Sequence, residues 1–140
     1  GYIWRNAMEC FEQFPVMKKI FGFGPDTFGI VLLDKTKGNI YGQTFDNAHN
    51  EYLHYLITVG ITGLISYLVF MFSFVVRVIR KAGKNQYIVA AFFAVLCYGT
   101  QAFVNLNLPI ATPIMWMFLM LGELGIREHY RQSGSKDKGK

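Results

Sequence analysis

Two histidines, a carboxylate and two amides crowd into one stretch, Asp46-Asn47-Ala48-His49-Asn50-Glu51-Tyr52-Leu53-His54. Such residues do acid–base work or hold a metal ion, and spacing separates the two. His49-Asn50-Glu51 matches the H-x-E half of a zinc deaminase, but the chain has no P-C-x-x-C half. The histidines are also out of H-E-x-x-H register. On one helix His54 points about 140° away from His49 and Glu51 about 160° away, so the three cannot meet at one ion. No metal site is expected.

General-base chemistry fits better. Asp46 and Asn47 are both good N-caps, and a helix starting there places His49 in its first turn. The positive end of the helix dipole disfavours imidazolium, and a neutral imidazole can take a proton from an incoming hydroxyl. Alternatively His49 only caps the helix or bonds a loop carbonyl, and spacing leaves both readings open. Tyr52, Leu53 and Leu56 share the His49 face, whereas Glu51 and His54 read as an i, i+3 pair at a surface or interface. No Gly-x-Ser-x-Gly nucleophile motif occurs, and Ser66 and Ser73 fall in an apolar run where hydroxyls bond back to their own helix. Phe21-Gly22-Phe23-Gly24-Pro25-Asp26-Thr27-Phe28 reads as a turn. The third glycine of a dinucleotide loop would fall on Thr27, and no G-K-[ST] follows.

The elements that must position this stretch are mostly apolar. The 140 residues are 52% hydrophobic and 16% charged, with 13 Phe. No Asp, Glu, Lys or Arg occurs from Tyr55 to Val76, or again from Asn85 to Gly122. About 20 apolar residues cross a bilayer as a helix. The expected fold is therefore an all-α integral membrane protein with transmembrane helices at about 61–80, 87–104 and 110–126. Asn105-Leu106-Asn107-Leu108-Pro109 makes the break before the third. Residues 1–58 form an extracytoplasmic region with short helices, 59–128 the membrane region, and 129–140 a disordered tail. In the first region Tyr2–Phe14 reads as an amphipathic helix with Ile3, Trp4, Ala7, Met8 and Phe11 apolar, ended by Pro15. Residues 34–46 read as a loop. Cys10 and Cys97 read as packing residues at different depths, not a disulfide. The chain opens on Gly1 without a Met-led or cleavable segment, and reads as the C-terminal part of a longer protein.

The net charge of +5 is explained by topology rather than by nucleic acid. Arg77, Arg80, Lys81 and Lys84 sit between two apolar runs, and Arg127, Arg131, Lys136, Lys138 and Lys140 follow the last. Basic loops stay in the cytoplasm, so the His49 stretch faces outward, away from ATP and nucleotide sugars. Arg5, Lys18 and Lys19 are the outward cations that can hold a phosphate or anchor to anionic lipid headgroups.

In order, Ile3-Trp4, Gly22-Phe23-Gly24-Pro25-Asp26-Thr27-Phe28, Ala48-His49-Asn50-Glu51-Tyr52-Leu53 and Val59-Gly60-Ile61-Thr62-Gly63-Leu64 resemble the C-terminal half of the O-antigen ligase and polymerase family. The resemblance covers about residues 1–125. It implies a piece of a larger multi-spanning glycosyltransferase of GT-C type in the bacterial inner membrane, needing neither cofactor nor metal. The implied donor is a glycan on undecaprenyl diphosphate. The acceptor is a sugar hydroxyl of lipid-A core or of a nascent polysaccharide. His49 matches the histidine proposed to activate that hydroxyl, and Asn50 the neighbouring amide. With Arg5, Glu51 and Tyr52, Asn50 is the expected substrate-binding set. The family's diphosphate-binding arginine precedes the Ile-Trp pair, a position that falls ahead of Gly1, so Arg5 stands as its substitute. The competing expectation is a non-catalytic membrane scaffold or transport subunit whose outward loop docks partners.

Overall fold

A computed structural model describes residues 1–37, 44–81, 85–105 and 111–137, with side chains as far as Gln132. The described residues form helices and no strand. In chain order these are α1 Tyr2–Gln13, α2 Val16–Phe21, α3 Phe28–Thr36, α4 Glu51–Thr58, α5 Gly60–Lys81, α6 Gln86–Gln101 and α7 Ala111–Asp137. The all-α expectation holds. Among the described residues one helix, α5, is long and apolar enough to cross a membrane. At 16 residues α6 is shorter than the usual span. Helix α7 is 27 residues long but carries Glu123, Arg127 and Glu128. The expected break at 105–109 and the basic loop at 77–86 lie partly outside the described residues, as do 38–43 of the expected loop.

The chain divides into two compact units, one of Gly1–Leu68 with Ala102–Leu106, the other of Val69–Gln101 with Asn107–Lys140. In the first, α1 lays Ala7 and Cys10 against Phe28 and Leu32 of α3, Ala48, and Leu53 and Ile57 of α4. Ile3, Trp4, Phe11 and Phe14 flank this core. The buried stripe of α1 thus runs through Cys10, three residues on from Ala7, and Met8 is left exposed. Phe14 is extended and Pro15 follows, which ends α1 where the sequence predicts.

Two further short helices follow, and the second departs from expectation. Helix α2 forms directly after Pro15, whose carbonyl accepts from the backbone N–H of Lys18 and Lys19 at 2.9 and 3.0 Å. Helix α3 reaches Thr36, into residues expected to be loop. Phe28 and Leu32 are fully buried, and the Thr36 hydroxyl donates to the Leu32 carbonyl at 2.9 Å. Burial in a tertiary core, not local propensity, makes this segment helical.

In the second unit Phe74 and Val78 of α5 pack with Ile88 and Val95 of α6 and with Met115, Leu119 and Ile126 of α7. Gly122 and Gly125 let α7 approach closely: a Cβ on either would press into the Phe74 ring or the Ile88 side chain. Helix α7 runs to Asp137 instead of yielding to a disordered tail at 129. Arg127–Glu123, Gln132–Glu128 and Arg131–Glu128 pair along its surface and support the added turns. The last residues of the expected tail, 138–140, lie outside the described residues.

Candidate functional site

The His49 segment is not the first turn of a helix. Helix α4 starts at Glu51, capped by Asn50, whose side-chain oxygen accepts from the Leu53 N–H at 2.9 Å. Asp46 and Asn47, expected as caps, build the turn before it. Asn47 donates its amide to the Asp46 carboxylate at 2.7 Å and accepts from the His49 N–H at 3.1 Å. An Asx turn competes with helix in this way, and here it wins. His49 is driven to φ +47, a left-handed conformation rare outside glycine. Its imidazole is therefore outside the helix, and the expected shared face with Tyr52, Leu53 and Leu56 does not form.

Long-range bonds hold this strained residue from both sides. The Trp4 indole N–H donates to the carbonyl of fully buried Ala48 at 2.9 Å. The Glu51 backbone N–H donates to the Ala102 carbonyl at 2.9 Å. Between these fixed points His49 is exposed and borders an open cleft of about 450 Å³, lined also by Tyr2, Ile3, Trp4, Phe45 and Val104. The cleft is thus mainly apolar and aromatic, with one imidazole at its edge.

The other expected site residues are placed differently. Asn50 and Glu51 are buried, the first as cap and the second at the start of α4, where a carboxylate suits the helix dipole. Arg5 is largely exposed and pairs with Glu9 at 3.6 Å; it does not line the cleft. Tyr52 lies near Tyr67 and Phe103, its ring tilted to both, with centroids 6.3 and 6.1 Å away. Burial pushes its phenol above the ordinary value, and the neighbouring Glu51 adds to the rise. The expected Glu51–His54 surface pair gives way to a different contact: the His54 ring lies flat on Phe28 with centroids 5.2 Å apart. Burial lowers the His54 pKa, opposed by the carboxylates of Asp26 and Asp46.

The structure thus brings His49 to the Ile3–Trp4 pair, 45 residues apart in sequence, and does not bring Arg5 with them. Sequence reasoning missed Tyr2, Phe45 and Val104 as cleft residues. Nothing local marks them, although Phe45 directly precedes the Asp46 turn. Among the described residues no group of three His, Cys, Asp or Glu side chains is arranged to hold a metal ion. No protein-family model, curated protein or solved structure matches the chain.

Proposed function

We propose that the chain is part of a bacterial inner-membrane glycosyltransferase of the O-antigen ligase or polymerase kind. The observation that carries this reading is His49 itself. An exposed imidazole is held in a left-handed conformation at the edge of an apolar cleft, fixed by the Trp4–Ala48 and Asn47–His49 bonds. Backbone strain maintained by surrounding structure is common where a side chain must be presented for chemistry. The motifs of the resemblance are also knitted together. The Ile-Trp pair bonds the Ala-His-Asn segment, and the Gly22–Gly24 turn bonds the end of α4 through Phe23 and Gly24 N–H groups.

In this reading an acceptor sugar hydroxyl attacks the anomeric carbon of a glycan carried on undecaprenyl diphosphate. His49 takes the hydroxyl proton as the new C–O bond forms. The bond to the diphosphate breaks with inversion, and undecaprenyl diphosphate leaves with the electron pair. Asn50 and Glu51 set the backbone that aims His49, and Arg5 and Tyr52 do not line the cleft. Helix α5 crosses the bilayer. Few of its residues are buried, unlike the core helix of a soluble protein. Helices α6 and α7 expose Phe93, Leu96, Met117, Met120 and Leu121 and serve as the second and third membrane helices.

The test is glycan transfer from a lipid-linked donor in membranes carrying the intact protein, wild type against His49→Ala, with lipid-A core present or omitted. Loss of transfer with normal membrane insertion supports the reading. Dependence on the core identifies a ligase, and chain extension without it a polymerase. Undiminished transfer by His49→Ala returns the segment to a docking or structural role.

A further inference from the structure

Helix α2 has no buried residue. Val16, Met17 and Phe21 are 70, 64 and 61% exposed, an unusual state for three large apolar side chains on six residues. The helix is nevertheless not loosely attached. The Thr62 hydroxyl, in the first turn of α5, donates to the Ile20 carbonyl at 2.7 Å. Just beyond α2, Phe23 and Gly24 N–H groups donate to the Ile57 and Thr58 carbonyls at 3.3 and 2.8 Å. Gly22 and Gly60 both take φ +72 where the segments cross, and a Cβ on either would strike the other segment's backbone. The exposed face of α2 is thereby fixed to the first turn of the one described helix suited to crossing a bilayer.

Charge specifies what covers that face. Lys18 and Lys19 stand on the same helix, 4.8 Å from the Phe23 ring centroid and 6.0 Å from that of Phe11, and Lys19 also donates to the Glu12 carbonyl at 2.9 Å. Apolar side chains beside ammonium groups suit the boundary between acyl chains and anionic headgroups. The contrast lies on α3. Ile30 and Leu33 are also exposed, but they share a cleft with Asp26 and Asp46, which an anionic surface repels.

We propose that α2 is an interfacial anchor, with Val16, Met17 and Phe21 entering an anionic bilayer and Lys18 and Lys19 meeting lipid phosphates. The proposal rests on α5 crossing that bilayer. The anchor sets the depth of the Gly22–Gly24 turn, and through it of α4 and the His49 segment. The test places a fluorophore on Met17→Cys or Leu68→Cys, each in the intact protein with Cys10→Ala and Cys97→Ala. Each is reconstituted into phosphatidylcholine vesicles with or without phosphatidylglycerol. Lipids spin-labelled near the headgroup or deep in the acyl chain report depth. We expect the Leu68 probe to be quenched by the deep label and the Met17 probe by the shallow one. Quenching at Met17 should rise with phosphatidylglycerol, and Lys18→Glu with Lys19→Glu should return it to the level without that lipid. A Met17 probe that stays open to aqueous iodide while Leu68 is deep overturns the anchor and leaves the membrane reading intact. A Met17 probe shielded from both iodide and lipid labels overturns it in favour of a protein partner. A Leu68 probe that no lipid label quenches overturns the membrane reading together with the anchor.

Discussion

The indole N–H of Trp4 donates to the carbonyl of Ala48, 2.9 Å away and 44 residues later in the chain. This bond joins α1 to the turn that presents His49, and Ala48 has no access to water that could replace it. Trp4→Phe keeps most of the ring and orphans the carbonyl, at a cost of about 1–3 kcal/mol. Thermal unfolding in detergent should show the lower stability. Transfer activity should fall further than stability alone explains, because His49 loses one of its supports.

His49 itself should show stability and function pulling apart. Its left-handed φ strains any side chain and suits glycine. His49→Gly should leave the unfolding temperature unchanged or raise it while removing transfer. His49→Val, β-branched in the same conformation, should destabilise by about 1–2 kcal/mol. A His49→Gly protein markedly less stable than wild type would falsify the strain argument.

The His54–Phe28 stack makes stability depend on pH. The folded His54 pKa lies below the ordinary 6.5 because burial disfavours the charged ring, with Asp26 and Asp46 opposing. The unfolded state therefore binds the proton first on acidification. Stability is intact above about pH 6.5, falls as pH drops below that value, and levels off below the folded pKa. Urea unfolding across this range should show the slope, and His54→Phe, which keeps a ring against Phe28, should flatten it.

Gly22 and Gly60 both have φ +72, and a Cβ on either would run into backbone, the first into Thr58 and the second into Ile20. Alanine at either site should cost more than about 1 kcal/mol, since conformation and space both refuse it. Gly24→Ala meets no backbone, only the distant Thr27 methyl at 3.9 Å, and its cost should come from φ +112 alone. Melting curves of the three variants should rank Gly24→Ala as the mildest.

Glu123 receives two guanidinium groups, Arg77 at 3.1 Å from α5 and Arg127 at 3.3 Å from its own helix. Glu123→Leu leaves Arg77 partly buried without its counter-charge. The double variant Arg77→Met with Glu123→Leu should be more stable than Glu123→Leu alone, because removing both partners avoids an uncompensated charge. A double-mutant cycle measured by thermal unfolding checks this. Costs of Arg77→Met and Glu123→Leu that simply add in the double variant would show that the pair contributes nothing.

Much of the architecture was legible from residue types alone. The charge-free run through Val76 and the basic residues that end it define α5, and Pro15 ends α1. Both signals are local, so no tertiary contact is needed to read them. The membrane-competent helix belongs to this part. Tertiary structure alone decided the rest. Whether Asp46, Asn47 or Asn50 caps α4 is a contest between similar local options. The Trp4–Ala48 and Glu51–Ala102 bonds act on that contest from residues 44 and 51 positions away, which no window of sequence contains. The same holds for α3, helical because Phe28 and Leu32 found a core, and for the cleft, whose Tyr2, Phe45 and Val104 meet only when the chain closes on itself. Sequence places an imidazole in this stretch, and long-range contacts decide which way it faces.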